Sequence, residues 1–332
     1  MNKPFRCLVV GPAWVGDMVM AQSLFVELKR RHEGLYLTVL APAWSEAILQ
    51  RMPEIDEVIA LPVAHGQLNL KVRWKVAKQL KTKQFDQAIV LQRSLKSALV
   101  PFFARIPKRT GFLGEQRYGL LNDIRKIDKT QLPMNVQRFL VLADDSGALP
   151  SEIPKPALVS LEADQQAVRQ AFELGDSKIL ALCPGAEFGA SKQWPARHYA
   201  SVAKVKLEQG WKVTLLGSAG DKPICNEINQ LLDQQGVNLA GRTSLPQVID
   251  LIASADKVVS NDSGLMHIAA ALHRPLVAVY GSSSPDFTPP LSSTSQIVKL
   301  HLDCQPCFKR QCPLGHLNCL NQLEPQQVLD HL

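Results

Sequence analysis

The 332-residue sequence lacks the features that mark membrane-spanning, secreted and dinucleotide-binding proteins. No apolar run approaches the roughly 18 residues that a membrane-spanning helix needs. The chain passes from Met1-Asn2-Lys3 directly into an apolar run, without the apolar region and cleavage site of a secretory signal. The phosphate-binding pattern G-x-G-x-x-G is also missing. These absences predict a cytoplasmic protein without a dinucleotide fingerprint.

Aromatic residues make up only 6% of the chain, whereas apolar residues make up 46%, enough for two cores in a chain of this length. Residues 1–155 carry 23 Lys and Arg against 14 Asp and Glu, while residues 156–332 carry 14 against 16. The first half is therefore expected to attract an anionic glycolipid, a membrane surface or nucleic acid. Nucleic acid is disfavoured, because aromatic residues do not alternate with the basic ones as stacking platforms would.

Short apolar runs alternate with amphipathic helical patterns in both halves of the chain. The alternation stops at the proline-rich segment Leu149–Pro156 and restarts at Ile179–Cys183. Such alternation predicts βαβ units and parallel sheets. The fold class is therefore predicted to be α/β, with two Rossmann-like doubly wound domains that face a cleft. The predicted domains are residues 1–155 and residues 156–332, the second ending in a cysteine-rich segment and a tail helix.

The first candidate site is Gly11-Pro-Ala-Trp-Val-Gly-Asp17, which follows the first predicted strand. Gly11 and Gly16 permit a tight turn and a close approach of the backbone to a ligand. Asp17 falls in the first turn of the next helix, where a carboxylate caps the helix or complements its dipole. It also lies at the carboxyl edge of the strand, where it is placed to accept a proton from an attacking hydroxyl. The residues alone leave both roles open.

The second candidate site is Asn261-Asp-Ser-Gly-Leu-Met-His267, which opens a predicted helix. The free N–H groups at a helix N-terminus, beside the small residues Ser263 and Gly264, form a ready site for phosphate oxygens. His267 lies one turn into the helix and is placed to donate a hydrogen bond to a phosphate. A helix cap at Asp262 and a packed histidine are the simpler alternative, and the two interpretations are compatible.

The third candidate site is the loop Pro184-Gly-Ala-Glu-Phe-Gly-Ala-Ser-Lys192, which also follows a predicted strand. Gly185 permits close approach of a ligand, and Ser191 belongs to the same loop. Lys192 offers a compact positive charge that suits a diphosphate. A surface loop with an idle lysine is the alternative. Two such loops at one edge of one sheet favour phosphate binding.

A fourth turn, Leu215-Leu-Gly-Ser-Ala-Gly-Asp221, ends another predicted strand of the second half. The glycines leave room for the adenosine end of a nucleotide, with Asp221 near the ribose. An ordinary turn between a strand and a helix explains the same residues equally well. The sequence leaves this choice open.

Four of the seven cysteines lie within sixteen residues near the C-terminus, spaced C-x2-C-x4-C-x6-C. Four thiols with one close pair are compatible with a tetrahedral zinc site, but the longer loop between two usual zinc knuckles is absent. A disulfide framework is not expected in the cytoplasm. Reduced structural thiols are therefore favoured over a structural metal. The four residues are Cys304, Cys307, Cys312 and Cys319.

With these motifs, the chain resembles the ADP-heptose-using glycosyltransferases of family 9, which have the GT-B fold. The resemblance implies transfer of L-glycero-D-manno-heptose from ADP-L-glycero-β-D-manno-heptose, with inversion, onto the first heptose of the lipopolysaccharide inner core. Addition of the first heptose to Kdo, and a sugar-nucleotide epimerase or hydrolase of the same fold, are the alternatives. No cofactor or catalytic metal is implied. The resemblance is carried by residues 11–25, 184–200, 261–272 and 304–320.

The resemblance also implies roles for particular residues. Asp17 matches the general base, and Lys192 matches the residue that contacts the diphosphate and the sugar. Asp262, Ser263, Gly264 and His267 match the donor site at the helix N-terminus, to which we add Ser191, Gly185 and Asp221. The first domain would bind the acceptor. The candidate acceptor residues, chosen for their position or charge, are Gly16, Arg93, Lys96 and Arg117.

The expected partners follow from the same resemblance and from the charge distribution. They are the inner-core glycolipid and the cytoplasmic face of the inner membrane, to which the protein would bind peripherally. The segment Leu70–Lys83 carries six basic residues around Trp74, which suits an anionic membrane surface, although a solvated helix face is the commoner outcome. No nucleic-acid partner is expected.

Overall fold

The computed structural model describes residues 4–63 and 66–332. The chain forms two compact units, one ending at Pro156 and the other covering Ala157–Leu332. Within the described residues, each unit contains a six-stranded sheet in which every strand pair is parallel. The prediction of an α/β fold with two doubly wound sheets is confirmed. No helix built from the described residues has the length and apolar character needed to cross a membrane.

The first unit follows the order β3-β2-β1-β4-β5-β6 across its sheet, so the strand order reverses between β1 and β4. Its strands are β1 (Arg6–Val10), β2 (Tyr36–Pro42), β3 (Glu57–Leu61), β4 (Gln87–Val90), β5 (Lys108–Phe112) and β6 (Asp123–Arg125). Its helices are α1 (Val15–Arg31), α2 (Glu46–Leu49), α3 (Leu70–Lys81), α4 (Leu95–Phe103) and α5 (Asn135–Leu140).

The second unit repeats this topology, in the order β12-β11-β10-β7-β8-β9, with the reversal between β7 and β10. Its strands are β7 (Ile179–Cys183), β8 (Lys212–Leu215), β9 (Val237–Asn238), β10 (Lys257–Asn261), β11 (Leu276–Tyr280) and β12 (Ser295–Lys299). Its helices are α6 (Glu162–Ala171), α7 (Ala196–Glu208), α8 (Lys222–Leu231), α9 (Leu245–Ala253), α10 (Gly264–Ala271), α11 (Asn318–Asn321) and α12 (Pro325–Leu329).

Strands β7 and β11 of the second sheet are buried along their whole length, which explains their continuous apolar sequences. All five residues of β7 and of β11 are buried, as expected for parallel strands covered by helices on both faces. The C-terminal segment completes this core, because Leu320, Leu323 and Val328 pack into the same apolar cluster. The end of the chain therefore stabilises the unit that carries the second and third candidate sites.

Candidate active site

Two of the predicted motifs meet where the second sheet reverses its strand order. In open α/β sheets, ligands bind beyond the carboxyl ends of the strands at such a point. Lys192 follows β7 and Asp262 follows β10, the two strands that flank the reversal. The Nζ atom of Lys192 lies 2.5 Å from Oδ2 of Asp262. The fold thus joins two loops that are far apart in the sequence.

The carboxylate of Asp262 is buried and shared between two donors. Ser283, in the loop after β11, donates its hydroxyl to the same Oδ2 atom at 2.5 Å. The side chain of Asp262 is 4% exposed and that of Lys192 is 17% exposed. Because an ammonium group has three N–H donors, the bond to Asp262 leaves donors of Lys192 available to a ligand. Asp262 therefore positions Lys192.

Helix α10 begins with Ser263 as its N-cap, so the expectation that Asp262 caps this helix is wrong. The carboxylate of Asp262 is instead used by Lys192 and Ser283. Ser263 has an extended backbone, and its side chain makes no capping hydrogen bond. The first N–H groups of α10, which begins at Gly264, are thus left for a ligand, and they favour an anion through the helix dipole.

His267 lies in the first turns of α10 and is 5% exposed. Burial lowers the pKa of its imidazole to about 4, while the carboxylate of Asp262 opposes this shift and the ammonium of Lys192 adds to it. The ring is therefore neutral near pH 7. A neutral imidazole can still donate one hydrogen bond, as expected for a phosphate contact, but it contributes no positive charge.

The pKa of His267 predicts a loss of stability in mild acid. An unfolded histidine has a pKa of about 6.5, so at higher pH the imidazole is neutral in both states and the full stability is present. As the pH falls, the unfolded chain takes up the proton first. The shift to about 4 then predicts that about 2 kcal/mol is lost by pH 5.

This loss can be measured from urea unfolding at pH 7 and pH 5. We expect His267→Gln to lose less stability than the parent protein between these two values. His301 is exposed, and His301→Gln serves as the matched control. If the parent protein and His267→Gln lose the same stability between pH 7 and pH 5, the loss does not come from His267.

Asp221 lies beside the same group of loops, where its carboxylate holds the turn after β8. It accepts hydrogen bonds from the backbone N–H of Ser218 at 2.8 Å and from the Ser218 hydroxyl at 2.7 Å. The backbone of Gly185 packs directly against this carboxylate, and a Cβ atom at residue 185 would overlap it. Close packing therefore favours glycine at this position, and a contact between Asp221 and a ribose stays a prediction.

Asn261 holds the Lys192 loop against the end of β10, a function that the sequence alone does not reveal. Its Oδ1 atom accepts hydrogen bonds from the Trp194 backbone at 3.1 Å and the Tyr199 hydroxyl at 3.0 Å. Its Nδ2 group donates to the Pro184 carbonyl at 2.6 Å. Asn261 stands inside a motif that the sequence marks as functional, but its partners are distant in the sequence.

The first unit places Asp17 at its own reversal point, in the first turn of α1 directly after β1. Asn135, the first residue of α5, donates its Nδ2 group to Oδ1 of Asp17 at 3.0 Å. Trp14 is the N-cap of α1, and its side chain does not cap the helix. Asp17 is partly exposed. Its carboxylate is therefore oriented by a neighbouring helix.

Arg93 and Lys96 lie in the loop and first turn after β4, the strand that adjoins β1. Next to them, Gln92 donates its Nε2 group to the carbonyl of Gly11 at 2.7 Å, which ties this loop to the Asp17 turn. Gly16 lies in that turn, one residue before the carboxylate. The structure thus brings these three predicted acceptor residues to one edge of the first sheet.

Arg117 does not belong with this acceptor group, and the expectation that it contacts the acceptor is corrected. Its side chain is buried, and burial lowers its pKa to about 10. Its guanidinium donates to the carbonyls of Phe112, Gln92 and Ser94. It also donates to the hydroxyl of Ser97 at 3.0 Å. Arg117 therefore fixes the loop that carries Arg93 and has no free face for a glycolipid.

The four clustered cysteines have different environments. Cys304, Cys307 and Cys312 are partly exposed, whereas Cys319 is buried. Burial raises the pKa of Cys319 to about 11, and backbone N–H groups, that of Leu317 first, lower the pKa of Cys312. Among residues 4–63 and 66–332, no three His, Cys, Asp or Glu side chains are grouped so that they could hold a metal ion.

Comparisons with known proteins found similar sequences and a similar structure. The family model described as glycosyltransferase family 9 (heptosyltransferase) matches residues 73–318. The chain is 46% identical over 338 residues to lipopolysaccharide heptosyltransferase 2 of Escherichia coli strain K12, covering 98% of this chain and 97% of that protein. It is 47% identical over 306 residues to lipooligosaccharide heptosyltransferase 2 of Haemophilus influenzae, covering 88% of each. The solved structure of E. coli ADP-heptose lipopolysaccharide heptosyltransferase II superposes with a TM-score of 0.88 at 43% identity, covering 98% of this chain and 97% of that one.

Proposed function

Since the chain belongs to glycosyltransferase family 9 (heptosyltransferase), we propose that it transfers L-glycero-D-manno-heptose from ADP-heptose to the first heptose of the lipopolysaccharide inner core. The observation that carries this proposal is the pairing of Lys192 with Asp262 beside the open N-terminus of α10. This arrangement suits a nucleotide diphosphate. Relatives that share nearly half of their residues with this chain are named heptosyltransferase 2, which favours the second heptose addition.

The acceptor is activated by the first unit. Asp17, oriented by Asn135, removes the proton from the attacking hydroxyl of the acceptor heptose. The oxygen then forms a bond to the anomeric carbon of the donor heptose. Because the attack is direct, the configuration at that carbon is inverted. Gly16, Arg93 and Lys96 lie at the same sheet edge, where the two cations attract the phosphates and carboxylates of the inner core.

The leaving group is stabilised by the second unit. As the new bond forms, the bond between the anomeric carbon and the diphosphate oxygen breaks, and ADP leaves with the bonding electrons. Lys192 and the N–H groups at the start of α10 stabilise the negative charge that develops on the diphosphate. Ser263 and Gly264 let the phosphate approach these N–H groups, and neutral His267 donates one further hydrogen bond. In this proposal Ser191, Gly185 and Asp221 shape the loops around the nucleotide.

The function is tested by mass analysis of the product formed from ADP-heptose and core acceptors that bear zero or one heptose. We expect one heptose to be added to the acceptor that already has one, and none to the bare Kdo acceptor. Preference for the bare Kdo acceptor would show that the protein adds the first heptose instead of the second. Consumption of ADP-heptose at the same rate without any acceptor would replace the transferase with a hydrolase or epimerase.

We also propose that the protein binds the cytoplasmic face of the inner membrane peripherally through α3. Trp74 is 57% exposed on this helix, beside the exposed residues Lys71, Lys75 and Lys78. An amphipathic side chain flanked by lysines suits an interface with anionic headgroups. Arg73 takes no part, because it is buried and donates to backbone carbonyls that include that of Lys96.

Removal of the three lysines tests this surface. Each lysine near an anionic membrane contributes about 1 kcal/mol, so changing Lys71, Lys75 and Lys78 to Gln should weaken binding to anionic vesicles roughly a hundredfold. Co-sedimentation with anionic and with zwitterionic vesicles measures the effect. A matched control changes three exposed lysines elsewhere in the same unit, Lys126, Lys129 and Lys155. If both triple variants lose the same amount of vesicle binding, the membrane attracts the protein only through its net charge. That result would contradict a specific binding surface on α3.

A further inference from the structure

The cysteine-rich segment, residues 304–319, packs against the loop that carries Lys192. The backbone N–H of Ser191 donates to the carbonyl of Arg310 at 3.3 Å. The backbone N–H of Phe308 donates to the carbonyl of Ser282 at 2.8 Å, in the loop after β11. Residues 308–310 are therefore held by both loops that surround Asp262.

Gly189 shows how closely this segment approaches the Lys192 loop. Its φ angle is +146°, a backbone conformation that favours glycine, and a Cβ atom at this position would overlap the backbone carbonyl of Arg310. Because the contact is between two backbones, flexible side chains cannot relieve it. The position of Arg310 is consequently fixed relative to the Lys192 loop.

Phe188 contacts the side chains of both Lys192 and Arg310. The Nζ atom of Lys192 lies 5.0 Å from the centroid of the Phe188 ring, and the Cζ atom of Arg310 lies 5.5 Å from it. Both distances are typical of cation–π contacts. Arg310 is exposed, and the described part of the chain supplies no carboxylate to pair with its guanidinium, whereas Lys192 is paired with Asp262.

The ion pair at this reversal point is electrically balanced. Lys192 and Asp262 together carry no net charge, and His267 is neutral. The partial charges at the start of α10 add an attraction for a diphosphate. A further cation at this loop therefore strengthens the attraction for the negative charge of a nucleoside diphosphate.

We propose that Arg310 supplies this cation and binds the terminal phosphate of the donor's nucleoside diphosphate, so that the cysteine-rich segment forms part of the donor site. This inference rests on the proposed function. A guanidinium can bind two phosphate oxygens at once, which a lysine cannot do. Arg310 would thereby hold the diphosphate before transfer and stabilise it as it leaves.

The test compares the binding of ADP and AMP by isothermal titration calorimetry, using the full chain and the variants Arg310→Gln, Arg310→Lys and Lys204→Gln. We expect Arg310→Gln to weaken ADP binding by about tenfold or more, because a charge-assisted phosphate contact is lost. AMP, which lacks the terminal phosphate, should be affected far less. Arg310→Lys should be intermediate. Lys204→Gln, which removes an exposed charge from α7, should bind ADP like the parent protein.

Each outcome decides the inference. Equal ADP affinities in Arg310→Gln and the parent protein would overturn it. An equal loss for ADP and AMP would show that Arg310 only shapes the loop, which also overturns a phosphate contact. A parent protein that fails to bind ADP would contradict the proposed function itself, and the inference with it.

Discussion

Replacement of Asp17 by Asn is expected to lower the rate of heptose transfer by about 10² to 10⁴-fold while leaving ADP binding unchanged. The reason is that a carboxamide has nearly the shape of the carboxylate but cannot accept the proton of the attacking hydroxyl. Asn135 can still donate to the oxygen of the new side chain, so the local structure should persist. Initial rates with a saturating acceptor, together with calorimetry of ADP binding, measure both expectations.

The control for this variant is Glu33→Gln, which removes an exposed carboxylate from the same unit and should leave transfer unaffected. If Asp17→Asn keeps a rate close to that of the parent protein, Asp17 is not the base. If the variant loses ADP binding as well, the carboxylate of Asp17 stabilises the fold rather than accepting a proton from the acceptor. Only a rate loss without a loss of ADP binding agrees with the proposed chemistry.

Replacement of Lys192 by Gln is expected to lower transfer by about 10² to 10³-fold, the loss typical of removing one stabilising group from a developing charge. The same change leaves the buried carboxylate of Asp262 with Ser283 as its remaining donor. Removing one partner from a buried ion pair destabilises a protein by about 3 kcal/mol. Transfer and stability should therefore both fall, as measured by initial rates and by urea unfolding.

The double variant Lys192→Gln with Asp262→Asn separates these two effects. It removes the unpaired buried charge, so stability should return towards that of the parent protein while transfer stays low. Recovery of transfer in the double variant would show that Lys192 acts only by neutralising Asp262. Lys204→Gln again serves as the control for loss of one lysine, and it should change neither property.

The elements predicted from the sequence with the greatest accuracy are those with strong periodicity. Strand β7, for example, is found over Ile179–Cys183, the apolar run at which the alternation restarts. Elements with weak patterns were not predicted. Strand β12 (Ser295–Lys299), for example, is a polar edge strand with one buried residue. Such elements are stabilised by neighbours that a local window of sequence does not contain.

The sequence by itself determined the α/β class, the two doubly wound units and the loops that follow their strands. It did so because alternating apolar patterns and glycine-rich turns are local properties of the chain. Only the tertiary structure decided that Lys192 pairs with Asp262, that Arg117 is buried, and that Asn135 reaches Asp17. Those contacts depend on strand order and on helix packing, which bring distant residues together. The spacing of residues along the chain therefore does not predict them.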